Sequence, residues 1–185
     1  MKKIVNVAGN IIAAVFAAIG VLCISVTITV MFRPLYYFDI DYLDIPQMSG
    51  MSETVIRANY DVLIDYNLLG GPSELNFPDL IMSQQGRIHF EEVKDIFIFM
   101  QIFSIAAVIL LVLWIVAWVK KKSLSFKWMK FTGIVIAIIA STCGCALIID
   151  WDWAFTAMHT IFFRNDYSEK FKKNIISCFL PCLYA

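Results

Sequence analysis

The chain contains two histidines, His89 and His159, and histidine is the side chain best suited to moving protons near neutral pH. Glu92 lies three residues after His89, on the same face of any helix there, where a carboxylate can orient an imidazole. Arg87, two residues before His89, offers a positive charge toward a developing oxyanion, or simply anchors a membrane interface. The plainer reading of all four is that they are solvated polar residues with no shared task. Counted as metal ligands, His89, Glu92 and His159 make three, but the sequence has neither an H-E-x-x-H pair nor a Cys/His cluster. No metal and no cofactor are therefore expected. The G-x-S-x-G elbow of a serine hydrolase is missing as well. Spacing alone stops at a candidate two-histidine site.

The elements that would position such a site belong to a membrane. Of 185 residues, 60% are hydrophobic and 16% charged, and the mean hydropathy is +0.74. A water-soluble globule of this size has too much surface for its volume to hide that apolar content. A cytosolic enzyme, a soluble nucleic-acid binder and a disordered chain are thereby excluded as classes. Three uncharged stretches stand out: Ile4–Phe32, Ile96–Val119 and Phe131–Ile149. Each meets the requirement of roughly 17–25 apolar residues for a helix crossing ~30 Å of hydrocarbon. Backbone polar groups in lipid must be satisfied within the segment, so all three are predicted helices. The first is much longer than the h-region of a cleaved signal peptide and is read as a retained span.

Charge sets the orientation. Met1–Lys3 has two lysines and the loop Lys120–Lys130 has five, with no acid in either. The loop 33–95 has four basic and eleven acidic residues, and the tail 150–185 has four of each. Positive-inside bias puts the N-terminus and the lysine loop in the cytoplasm, and the acidic loop and tail outside. Tyr36, Tyr37, Trp151 and Trp153 then fall at the outer interface, Trp118 and Trp128 at the inner one. His89 precedes Ile96 by seven residues, about 10 Å along a helix. His159 follows Ile149 by ten, about 15 Å if the helix continues. The two histidines can meet above the outer leaflet.

A 63-residue loop is too long for a bare connector. Ser52 is placed to cap a helix on which Val55, Ile56, Tyr60, Leu63, Ile64 and Leu68 recur at helical spacing, ended by Gly70, Gly71 and Pro72. That stripe is expected to pack against the bundle. A second helix is predicted to start near Ser83 and run into the second span, with Gly86 a point of interruption. The fold expected is all-α: three transmembrane helices carrying a small extracytoplasmic cap. Cys23, Cys143 and Cys145 lie within spans and act as small apolar residues, while Cys178 and Cys182 in the tail are read as free thiols.

The segment Arg87-Ile88-His89-Phe90-Glu91-Glu92-Val93-Lys94-Asp95 resembles the first histidine motif of the lipoprotein intramolecular transacylase family of bacterial membrane proteins. Phe155-Thr156-Ala157-Met158-His159, followed by Phe162-Phe163-Arg164-Asn165-Asp166-Tyr167, is similar to the second. Asn59-Tyr60-Asp61-Val62-Leu63-Ile64-Asp65-Tyr66 resembles the family's loop helix, with less specificity. The ordered combination covers most of the chain.

The resemblance implies a multi-pass protein of the bacterial cytoplasmic membrane. It would move the sn-2 acyl chain of a diacylglyceryl-modified lipoprotein onto the α-amine of its N-terminal cysteine, leaving a lyso-form lipoprotein. His89 and His159 would be its proton-transfer pair, with Glu92 and Arg87 as orienter and charge stabiliser. The expected partners are diacylglyceryl-modified lipoproteins and membrane lipid, not nucleic acid. The family has a fourth span after the second histidine, and Ser168 stands where its tryptophan would fall. A truncated, inactive copy is accordingly one competing expectation. A non-catalytic membrane sensor or accessory protein, using the acidic loop as its contact surface, is the other.

Overall fold

The structure, a computed structural model, describes residues 2–121 and 126–163. The described residues are helices and connecting segments, without a strand. The helices are α1 (Lys2–Met31), α2 (Arg33–Tyr42), α3 (Ile45–Ser49), α4 (Glu53–Tyr66), α5 (Gln84–Lys121), α6 (Lys127–Ile149) and α7 (Trp151–Phe162). Three of them, α1, α5 and α6, are long and apolar enough to cross a membrane.

The chain divides into two compact units. The first takes in residues 1–28 and 99–151. Its helices approach closely where side chains are small. Ala14 and Ala18 of α1 are buried, and a Cβ added at Gly20 would come within 2.8 Å of the Ala107 Cβ on α5. Thr132 of α6 donates from its hydroxyl to the Ala14 carbonyl at 3.3 Å, and Phe16 packs on Phe103 with ring centroids 4.8 Å apart. Trp114, Trp128 and Phe126 form an edge-to-face cluster next to the lysine loop.

The second unit comprises residues 29–98 and 152–185. It opens where Pro34 ends α1: its ring would clash with the carbonyl four residues back, so Phe32 leaves helical geometry and α2 restarts at Arg33. Asp44, at φ 50°, makes the left-handed turn into α3 that a short polar side chain tolerates. Neither α2 nor α3 follows from periodicity. Ile40 of α2, Ile45 of α3 and Ile56 of α4 form a buried core ringed by Tyr36, Tyr37 and Met51. The α4 stripe thus finds α2 and α3 as packing partners.

Ser52 caps α4 as expected, accepting from the Val55 N–H at 3.4 Å, but the helix ends at Tyr66 and leaves Leu68 outside. The chain then turns so tightly that a Cβ at Gly71 would sit 2.2 Å from the Asp65 carbonyl oxygen. Gly86 does not interrupt α5; its N–H is held by the Ser83 hydroxyl at 3.0 Å, which starts the helix instead. The third span does not continue upward as one helix. Asp150 is extended (φ −155°, ψ 99°), and α7 begins afresh at Trp151. The tail beyond residue 163, with Cys178 and Cys182 and the Arg164–Tyr167 part of the second motif, lies outside the described residues.

Candidate active site

α5 carries Arg87, His89 and Glu92 in its first turns, and α7 carries His159 in its last. The stretches that carry these residues, 84–98 and 152–162, both belong to the second unit. Within it the two imidazoles lie nearly parallel, with centroids 6.5 Å apart and planes inclined by 15°. Seventy positions of sequence separate them; packing brings them together.

Each ring is held by its neighbours. His159 places Nδ1 2.9 Å from the carbonyl oxygen of Phe155, one turn earlier on α7. A carbonyl can only accept, so Nδ1 is the protonated nitrogen and Nε2 is the one left for chemistry. The Phe155 ring lies 3.9 Å from the same imidazole, centroid to centroid. Phe163 packs against both histidines, at 4.8 Å from His89 and 5.4 Å from His159. Phe90 adjoins His89 and is met edge-on by Phe77 at 6.0 Å.

This apolar surround has an electrostatic consequence. His89 is half-buried, and that desolvation pushes its pKa below the ordinary histidine value; the nearby charge of His159 lowers it further, while Glu92 opposes both. His89 precedes the uncharged part of α5, among Arg87, Glu91, Glu92, Lys94 and Asp95. At neutral pH its imidazole is therefore neutral. Arg87 is exposed, and its charge is felt by Tyr66. Among the described residues, no group of three or more His, Cys, Asp or Glu side chains converges so as to hold a metal ion.

Spacing did not reveal the supporting groups. Phe155 and Phe163 sit four residues either side of His159, a one-turn spacing that would have marked them as ring neighbours. Lys94 places its ammonium 4.2 Å above the buried Tyr66 ring and donates to the Pro72 carbonyl, fastening the loop 67–83 to the head of α5. Arg33 reaches Asp61 at 3.0 Å and Asp65 at 2.5 Å on α4, and the Tyr37 hydroxyl donates to Asp61 at 2.5 Å. Burial works against the Arg33 charge, but the hydrogen bond and charge of Asp65, with Asp61, outweigh it and raise the guanidinium pKa. Tyr36 stacks on Tyr60 at 4.0 Å, and Arg57 lies over Tyr37 at 4.4 Å. No short motif announces this clasp, because its members come from two helices.

The sequence profile of the family described as lipoprotein intramolecular transacylase Lit matches residues 11–169. Among solved structures, the chain is similar to the membrane-integral lipoprotein intramolecular transacylase Lit from Bacillus cereus. It shares 31% identity with that protein, covering 85% of this chain and 73% of the other, with a TM-score of 0.76. Two further structures of the Bacillus cereus protein, with a histidine replaced by arginine in one and by alanine in the other, match at 29% identity and a TM-score of 0.74. Both cover 90% of this chain, and 73% and 74% of theirs. No curated protein sequence matches the chain.

Proposed function

The chain belongs to the lipoprotein intramolecular transacylase family, and from that premise of a multi-pass membrane acyltransferase we propose the reaction and the residues that perform it. The sn-2 acyl group of a diacylglyceryl-modified lipoprotein moves onto the α-amine of the same molecule's N-terminal cysteine. The amine nitrogen attacks the ester carbonyl carbon and loses a proton. The carbon–oxygen bond to the glyceryl unit breaks, and the departing oxygen takes up a proton. An amide and a free hydroxyl result, with no water consumed and no net proton change.

His89 and His159 serve as the proton-transfer pair, and their juxtaposition at 6.5 Å is the observation that carries the assignment. In the tetrahedral intermediate, nitrogen and leaving oxygen are bonded to one carbon by single bonds of ~1.45 Å, so they stand about 2.4 Å apart. Hydrogen bonds of roughly 2.6–3.2 Å from two nitrogens span that group comfortably when the rings flank it. His89, kept neutral by burial, is the base that relieves the amine of its proton. That proton passes to Nε2 of His159, whose Nδ1–H is steadied by the Phe155 carbonyl, and on to the departing oxygen. Glu92 is a positioning residue acting through His89. Attack within one molecule draws mainly on orientation, which can supply ~7–11 kcal/mol of the barrier. The lysine-rich N-terminus and loop 120–130 face the cytoplasm, and the acidic loop 33–95 and tail 150–185 carry the site on the extracytoplasmic side.

Mass spectrometry of a lipoprotein's N-terminal peptide, from cells expressing the chain or its His89→Ala or His159→Ala variant, tests the reading. The acyl chain is expected on the cysteine nitrogen with the unaltered chain, and a diacylglyceryl form with either variant. Lyso-form product from both variants would overturn the two-histidine assignment. Diacylglyceryl lipoprotein in all three would overturn the activity itself.

A further inference from the structure

Polar and apolar residues divide α7 into two faces. Trp151, Phe155, Met158 and Phe162 recur at i, i+4, i+7 and i+11 with Ile161 beside them, and Asp152, Thr156, His159 and Thr160 recur on the other side. None of the twelve residues is buried, and the apolar row lies open, Ile161 being 76% exposed and Phe162 57%. One extended residue separates this helix from the end of the third spanning helix at Ile149. Its first turn therefore starts within about 7 Å of the point where the span ends.

The polar row asks little of water. Thr156 donates from its hydroxyl to the Asp152 carbonyl at 2.7 Å, Thr160 to the Thr156 carbonyl at 2.9 Å, and His159 to that of Phe155. Polar groups turned back onto the carbonyl one turn earlier satisfy themselves inside the helix, so the helix can rest at a low-dielectric boundary without leaving them unpaired. Trp151 heads the apolar row with the amphipathic ring favoured at headgroup level.

We propose that α7 is seated in lipid. Its Trp151–Phe155–Met158–Phe162 row lies in the boundary between headgroups and acyl chains, and His159, on the border of the two faces, comes to rest at the edge of the bilayer. The seating stands on this helix alone. Its consequence, that the acyl ester approaches His159 along the membrane plane, rests on the two-histidine reading above.

The test is nitroxide labelling of the full chain in phosphatidylcholine vesicles, its five cysteines replaced by alanine. Labels at Met158→Cys and Ile161→Cys are expected to collide more often with dissolved oxygen than with a water-soluble nickel chelate. Labels at Thr156→Cys and Thr160→Cys should show the reverse. A preference for the chelate at 158 and 161 would mean that α7 stands in water. Shielding from both relaxants would mean that protein covers it, the chain's own C-terminal segment or a second copy. Either result overturns the proposal. If the cysteine-free chain does not fold, quenching of tryptophan emission by lipid brominated near the headgroup decides the matter in the unaltered chain. Trp151→Phe should remove part of the quenched emission; unchanged quenching overturns the seating. Depth is read without turnover, so active histidine variants would refute the catalytic assignment and leave the seating untouched.

Discussion

Small side chains pack the spanning helices, whereas large ones pack the region that holds the histidines. In the first unit Ala14, Ala18, Gly20, Cys23, Ser104 and Thr132 are buried, with the larger Gln101 among them, while Ile102, Ile109, Leu113, Ile138 and their neighbours face outward. In the second unit, Ile40, Ile45, Ile56, Ile64, Tyr66 and Leu75 are buried. The difference follows the solvent. Lipid tails are as apolar as leucine, so burying leucine between helices gains little there, and close backbone approach and interhelical hydrogen bonds hold the helices together. In water, removing large apolar side chains from solvent supplies the stabilisation.

The contrast predicts distinct ways to damage each region. The largest effect should come from the histidines: His89→Ala or His159→Ala is expected to slow lyso-lipoprotein formation by ~10²–10⁴-fold, the usual contribution of one general acid or base. The detergent melting temperature should stay close to that of the unaltered chain. A melting point that fell with activity would make the histidines packing residues.

Ile56→Ala should rank next, costing about 2–4 kcal/mol in denaturant unfolding of the second unit, because it empties the core shared with Ile40 and Ile45. Gly20→Leu is the counterpart in the spanning unit. Here adding bulk does the harm, since even a Cβ would press on Ala107 at 2.8 Å; about 1–3 kcal/mol is expected. Equal tolerance of Gly20→Leu and Ile102→Leu would refute close approach as the packing rule there.

A subtler effect concerns pH. The depressed pKa of His89 keeps its imidazole neutral below the ordinary value of 6.5, so activity should survive mild acidification and fall only as pH drops further. Because Glu92 pulls that pKa upward, Glu92→Gln should shift the acid limb of the rate profile to still lower pH. A shift to higher pH would contradict the charge relation between them. Arg33→Ala should have the smallest effect. The Arg33–Asp61–Asp65 clasp is partly exposed, and such pairs contribute on the order of 0–1 kcal/mol each. Its loss should be measurable at low salt and vanish at high salt.

Much of this was legible in the sequence for local reasons. Ser52 is followed by a periodic apolar stripe, and the cap and helix are both present, because capping and periodicity act within one or two turns. Leu68 fits the period but falls outside the helix, since the chain must turn at Gly70 and Gly71. Gly86 looked like a break, yet the Ser83 hydroxyl on its N–H makes it part of a helix start. α2 and α3 are short, and their buried residues Ile40 and Ile45 form no periodic stripe of their own, so no window of sequence announces them.

By itself the sequence determined the three apolar helices, the charge asymmetry around them and the membership of the family, because hydropathy and motif order are written in contiguous residues. Tertiary structure alone decided that the His89 and His159 rings lie side by side, that Phe163 packs against both and that Arg33 closes on Asp61 and Asp65. It also decided that the chain bends at Asp150, so that His159 is carried on a helix of its own. These contacts join residues tens of positions apart, and their cost in chain entropy is met only when the helices that carry them have already packed.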